Sequence, residues 1–268
     1  MKEFFGWGGY TREAEGFLSW QHLLFVTCLM AVMTTLAILL GRKNRNADDA
    51  AKKRVLITAA ILIDSFELFK IVLMCLRAQN PLSWLYELPL FLCSTMLIAI
   101  PLAAFSKGRV RQAALDFVLI FGLLAACLGT YGAGNNYGTY PVLCVDNVIS
   151  GITHSISGFC ALYIAITKMA SLQKRNLPIA FSVLMGFIVC AGIANAVLDY
   201  NYMFLVRPDG TPYAVLYSLV NGNTILYPLG VVVLFFLYIS AFYAICFWVR
   251  SRRQKKQAGA PAQAQQEM

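Results

Sequence analysis

The chain alternates between long apolar runs and short polar or basic stretches. Seven runs of roughly 20 residues stand out, over about 17–40, 55–76, 84–105, 113–131, 145–167, 178–198 and 224–249. A run of about 20 apolar residues spans the hydrocarbon core of a bilayer as a helix. None shows the strict two-residue alternation of a barrel strand, and membrane-depth backbone has only helices and closed barrels to choose from. The pattern therefore predicts an all-α fold: a polytopic bundle of seven transmembrane helices occupying residues 1–250, followed by a disordered basic and polar tail over 251–268. Pro178 falls in the first turn of the sixth run, where its missing N–H costs nothing. Pro208-Asp-Gly210 reads as a turn before the seventh.

Basic residues fix an orientation. The stretches after runs one, three, five and seven hold 17 of the 22 Lys and Arg residues. Positive-inside placement puts them in the cytoplasm, with the N-terminus outside. The net charge of +9 is thereby a record of topology, and no nucleic-acid face is expected. Composition agrees, since 59% hydrophobic and 13% charged residues describe a membrane protein. The N-terminus lacks a basic n-region and the first run ends in basic residues, so no cleaved signal peptide is expected. Eight cysteines show no Cys-x-x-Cys spacing and mostly read as small packing residues. Cys75 and Cys144, both near the outer surface, leave a disulfide open. Helix seven has no lysine for a retinal Schiff base, which argues against a microbial rhodopsin.

The third run is unusual in its first half, where Glu87, Pro89 and Cys93 interrupt what lipid alone would require. Pro89 has no N–H, so the carbonyl one turn earlier, at Leu85, is left free. Runs three and five both descend from the outside. Cys93 lies nine residues past Trp84 and His154 nine past Val145, so both sit about 13 Å below the outer interface at 1.5 Å per residue. In run two, Asp64, Glu67 and Lys70 follow at intervals of three and share one broad face. Charge at this depth costs about 2.5–3.5 kcal/mol per group, so that face should meet protein or water. Asn195 and Asp199 close run six on the outer side, and Asp146, Asn147 and Asn223 open neighbouring runs there. A polar cavity facing outward is the expected result.

Such a cavity supports two readings. Cys93 and His154 form a nucleophile and base pair, with Glu67, Asp146 or an asparagine orienting the imidazole, and Glu67, Lys70, Glu87, Asn195, Asn201 and Tyr202 binding substrate. Beneath the headgroups, that pair suits acyl transfer on membrane phospholipids. Alternatively, Asp64, Glu67, Lys70 and His154 form the charged relay of a transporter or ligand-binding membrane protein, with helices broken near Pro89 and Pro228. Plainer roles also fit: Glu67 and Lys70 neutralise each other, and the residues at helix ends act as caps. No metal set or cofactor motif is read, and oligomeric state is left open.

The segments Glu87-Leu-Pro-Leu-Phe-Leu-Cys93 and Asn201-Tyr-Met-Phe-Leu205, with His154 between them, resemble the YwaF-like family of bacterial membrane proteins. That family resembles in turn the eukaryotic transmembrane protein 164 acyltransferases. The resemblance implies seven helices, a bacterial cytoplasmic membrane location, and a cysteine-dependent phospholipid acyltransferase with Cys93 as nucleophile and His154 as its partner. The family pattern often carries histidine where this chain has Phe91, so the resemblance also implies the loss of a second base or ligand.

Overall fold

The structure is a computed structural model that describes residues 2–264. Among the described residues it is all helical. In chain order the α-helices are α1 (Trp20–Asn44), α2 (Asp49–Ala78), α3 (Met96–Phe105), α4 (Gly108–Thr130), α5 (Gly134–Thr139), α6 (Val145–Thr167), α7 (Leu177–Leu198), α8 (Ala214–Leu219) and α9 (Leu226–Ala264). Their alternating direction gathers the basic clusters at one end of the bundle, where α1, α3 and α6 finish and α2, α4 and α7 begin. We call this the basic end and the other the opposite end.

Helix α6 is central, packed on α4, α1 and α2, while α3 lies between α2 and α4. Small residues allow the close approach. A methyl group on Gly122 of α4 would stand 2.7 Å from the Ser157 carbonyl of α6, and one on Gly158 of α6 would stand 2.7 Å from Ala126 of α4. On the α1 side, Gly151 and Gly158 admit Leu29 and Met33. In lipid, where apolar surface gains nothing by leaving the solvent, such backbone proximity is the main source of helix–helix contact. Helices α7, α8 and α9 form a looser flank that reaches the centre through α4.

Five segments are long and apolar enough to cross a membrane: Trp20–Asn44, Gly108–Thr139, Val145–Thr167, Lys174–Leu198 and Leu226–Arg252. The expected fifth span matches α6 at both ends. Two of the seven expected spans do not qualify by length and composition. Helix α2 is long enough, but Asp64, Glu67 and Lys70 interrupt its apolar character. The third is where the expectation fails most. Instead of one helix over 84–105, the chain makes a 3₁₀ helix from Pro81 to Tyr86, turns irregularly through Thr95, and begins α3 only at Met96. Proline explains the break, because Pro89 removes a donor and bars Leu88 from helical geometry.

Two smaller differences concern the end of the chain and Asp64. The backbone continues as helix to Ala264 where a disordered tail was expected from 251, consistent with the Ala, Gln and Lys content there; residues 265–268 of that tail lie outside the described residues. Asp64 is exposed on the outer surface of the bundle rather than sharing the inward face of Glu67 and Lys70. Steps of three residues drift by about 60° each, so the third member of such a series no longer shares the face of the first.

At the opposite end the N-terminal segment is tied across the helices. Arg77 of α2 holds Asp146 of α6 through two contacts of 2.8 and 2.7 Å, and the Tyr10 hydroxyl donates to the same carboxylate. Burial, reinforced by that carboxylate, pushes the Tyr10 phenol well above its usual range. The Val145 N–H donates to the Phe4 carbonyl and the Val142 N–H to Glu15, which satisfies backbone donors at the start of α6.

Candidate functional site

A small cavity of about 40 Å³ lies between α2, the irregular segment before α3, and α6. That is room for a few water molecules. Glu67 and Lys70 line it from α2, Cys93 and Ser94 from the irregular segment, and Ser150, Thr153, His154 and Ser157 from α6. The two residues singled out as nucleophile and base therefore share one cavity. The depth arithmetic for Cys93 assumed an α-helix that is not there. The 3₁₀ helix and turns nevertheless carry the thiol down to the level of His154.

The imidazole is held by its own helix. Nδ1 lies 2.7 Å from the Ser150 carbonyl oxygen one turn back, with the Ser150 hydroxyl at 3.4 Å. A carbonyl only accepts, so in the neutral ring Nδ1 carries the proton and Nε2 keeps its lone pair. None of the proposed orienting side chains does this work. Asp146 is occupied by Arg77 and Tyr10, and Glu67 is occupied by Lys70. Cys93 is the ring's thiol neighbour, close enough for the thiol and the imidazole to interact directly. The Cδ2–Nε2 edge lies against Gly129 of α4, so closely that a methyl group there would stand 1.7 Å from Cδ2 and 2.1 Å from Nε2. Only glycine leaves room for the ring in this position. Nothing in the sequence pointed to Gly129 or to the Ser150 carbonyl, because both act through backbone.

Lys70 joins the cavity to the irregular segment. Its ammonium lies 2.7 Å from Glu67 and 2.9 Å from Glu87, so the lysine sits between two carboxylates. Glu87 itself is set back from the cavity. The neutralising role considered for Glu67 and Lys70 is thus present, and extends to a third partner on another element.

The remaining candidates hold the scaffold. Asn195, near the end of α7, accepts from the Tyr202 N–H at 2.6 Å and donates to the Tyr202 carbonyl at 3.0 Å. Asn201 accepts from the N–H groups of Val206 and Arg207 and donates to the Arg207 carbonyl and Asp209, closing the turn after α7. The Tyr202 hydroxyl donates to the Leu85 carbonyl and accepts from the Leu88 N–H. This is the carbonyl that Pro89 leaves without a helical partner. Phe91 packs against Tyr202 and Phe204 at ring-centroid distances of 5.2 and 5.5 Å and does not line the cavity.

All eight cysteines are free, including Cys75 and Cys144. Among the described residues no group of three His, Cys, Asp or Glu side chains is placed to hold a metal.

The model of one protein family, the TMEM164 family, matches residues 17–243, nearly the whole helical bundle and every residue of the cavity. The chain belongs to the TMEM164 family. No curated protein and no solved structure matches it. Of the two families suggested by the motifs, the TMEM164 family is the one that matches, and together with the five apolar segments it makes this chain a multi-pass membrane protein. In this TMEM164-family chain, irregular backbone is placed among protein groups beside a polar cavity, the one setting in which non-helical backbone is tolerated at membrane depth.

Proposed function

We propose that this TMEM164-family protein is a cysteine-dependent acyltransferase acting on phospholipid acyl esters. The observation that carries the proposal is the common cavity of Cys93 and His154, with Nδ1 of the imidazole committed to the Ser150 carbonyl and Nε2 left as a base. His154 takes the proton of the Cys93 thiol, and the thiolate attacks the ester carbonyl. The carbon–oxygen bond breaks, the departing lysolipid oxygen takes the proton from the imidazolium, and the acyl chain stays on Cys93 as a thioester. A second lysolipid hydroxyl then gives its proton to His154, attacks the thioester carbonyl and releases the thiolate, which is reprotonated. Atoms and charge balance without a cofactor. With the orientation expected from the basic clusters, the cavity would lie in the outer half of the membrane, within reach of ester carbonyls below the headgroups.

Purified protein incubated with a phospholipid and a labelled lysophospholipid tests this. Acyl exchange is expected for the wild type, with a mass increase of one acyl chain on Cys93, and neither in Cys93→Ala. His154→Ala should fold and lose exchange by about 10²–10⁴-fold. Full exchange in both variants overturns the proposal.

The transport reading retains one supporting observation, the broken stretch around Pro89. Its second expected break is missing, since Pro228 is the third residue of α9 and falls in the first turn, where proline interrupts nothing. Substrate flux in liposomes without acyl exchange would favour it.

A further inference from the structure

We propose that the basic end contains a second ligand site, which binds a phosphate-bearing anion and is separate from the Cys93 cavity. A cavity of about 790 Å³ opens there between the start of α4, the end of α6 and the loop leading to α7. Arg109, Lys168 and Arg175 line it, all three exposed and without an acidic partner among the described residues. Arg111, also in the wall, is neutralised by Asp49 at 2.7 and 2.8 Å.

Positive-inside topology requires basic residues in this loop, but does not require them to surround a braced hollow. The far wall is fixed by Asp116 of α4, a buried carboxylate that accepts from the N–H groups of Ser171 and Leu172 at 3.0 Å each and from Asn176 at 2.6 Å. Arg250 of α9 holds the carbonyls of Ser171 and Leu172 at 3.1 Å each. The loop carrying part of the cationic set is thus braced by two other helices before any ligand arrives. Three exposed cations around one concavity fit a phosphate group. The source is either a phospholipid headgroup of the adjoining leaflet or a soluble phosphate compound. Basic pockets between helices at the cytoplasmic side are a known form of headgroup site.

The Arg109→Gln/Lys168→Gln/Arg175→Gln variant tests the site without touching the Cys93 cavity. A second variant, Arg42→Gln/Lys43→Gln/Arg45→Gln, removes equal charge from the same end but outside the cavity. The full-length protein in neutral detergent is titrated with dioctanoyl phosphatidylglycerol, dioctanoyl phosphatidylcholine or sodium pyrophosphate, and thermal melting is followed. The wild type and the second variant should both be stabilised by about 2–4 °C with phosphatidylglycerol or with pyrophosphate, and not with phosphatidylcholine. The cavity variant should need at least about tenfold more of the same compound. Phosphatidylglycerol alone acting identifies the lipid source, and pyrophosphate acting identifies the soluble one. If neither stabilises the wild type, or both variants weaken the effect equally, diffuse surface charge is the explanation and the site is overturned.

Discussion

The two ends of the bundle treat charge in opposite ways. Toward the opposite end each cation among the helices is matched: Lys70 sits between Glu67 and Glu87, and Arg77 grips Asp146 with both ends of its guanidinium. At the basic end Arg109, Lys168 and Arg175 have no acidic partner among the described residues. Where lipid surrounds a charge, neutralisation has to come from within the protein. Where headgroups and water are at hand, it can come from outside. A matched charge therefore reads as architecture next to a polar cavity, and an unmatched group around a hollow leaves room for an anionic ligand.

The largest expected test of this contrast is Lys70→Met. It leaves Glu67 and Glu87 facing each other without a counter-ion and should destabilise the protein by about 3–5 kcal/mol, whereas Arg109→Gln should change stability by less than about 0.5 kcal/mol. Melting of the two variants side by side decides it, and equal losses would erase the distinction between the ends. Next comes Gly129→Ala, which forces the His154 ring out of place. Its overpacking should cost about 1–3 kcal/mol, and a displacement of the ring by an ångström should lower acyl exchange by about 10²-fold. Unchanged exchange in a folded Gly129→Ala protein would mean that this ring position is not used in the reaction.

These two residues mark the boundary of what was legible. Cys93, His154, Glu67 and Lys70 could be picked out because a polar side chain in an apolar run is visible without neighbours. The same reasoning located the free carbonyl at Leu85, a consequence of Pro89 alone. Gly129 was invisible, since a glycine that makes room looks like any other until the ring beside it is seen. The third span was misread because hydrophobicity reports depth but not conformation, and the prolines outweighed it. Asn195, Asn201 and Tyr202 were recognised as polar residues at the right end, but the sequence held no sign that nearly all their hydrogen bonds go to backbone.

Tyr202→Phe is a smaller test. It removes one donor to Leu85 and one acceptor from Leu88, and should cost about 1–2 kcal/mol, with a loss of exchange if the irregular segment shifts. A melting temperature equal to wild type would show that the stitch carries no stability. The smallest effect concerns the exposed pair at the basic end. Hydrogen bonds from Arg111 hold the Asp49 carboxyl below its usual range. The folded value being the lower one, the pair stabilises above about pH 4 and that contribution fades as acid protonates Asp49. Arg111→Gln should therefore melt slightly earlier than wild type at pH 7, and the gap should close below pH 4. A gap independent of pH would assign the effect to packing instead.

The Tyr202 hydroxyl joins residues 117 positions apart in the chain. During synthesis the segment bearing Cys93 enters the membrane long before its partner exists, so it has to wait without its final shape until α7 has been inserted and the turn at Asn201 has closed. Assembly of the thiol site is then among the last events of biogenesis rather than an early local one. A nascent chain ending before Tyr202 would carry both Cys93 and His154 and still lack the hydrogen bonds to Leu85 and Leu88 that brace the segment bearing the thiol.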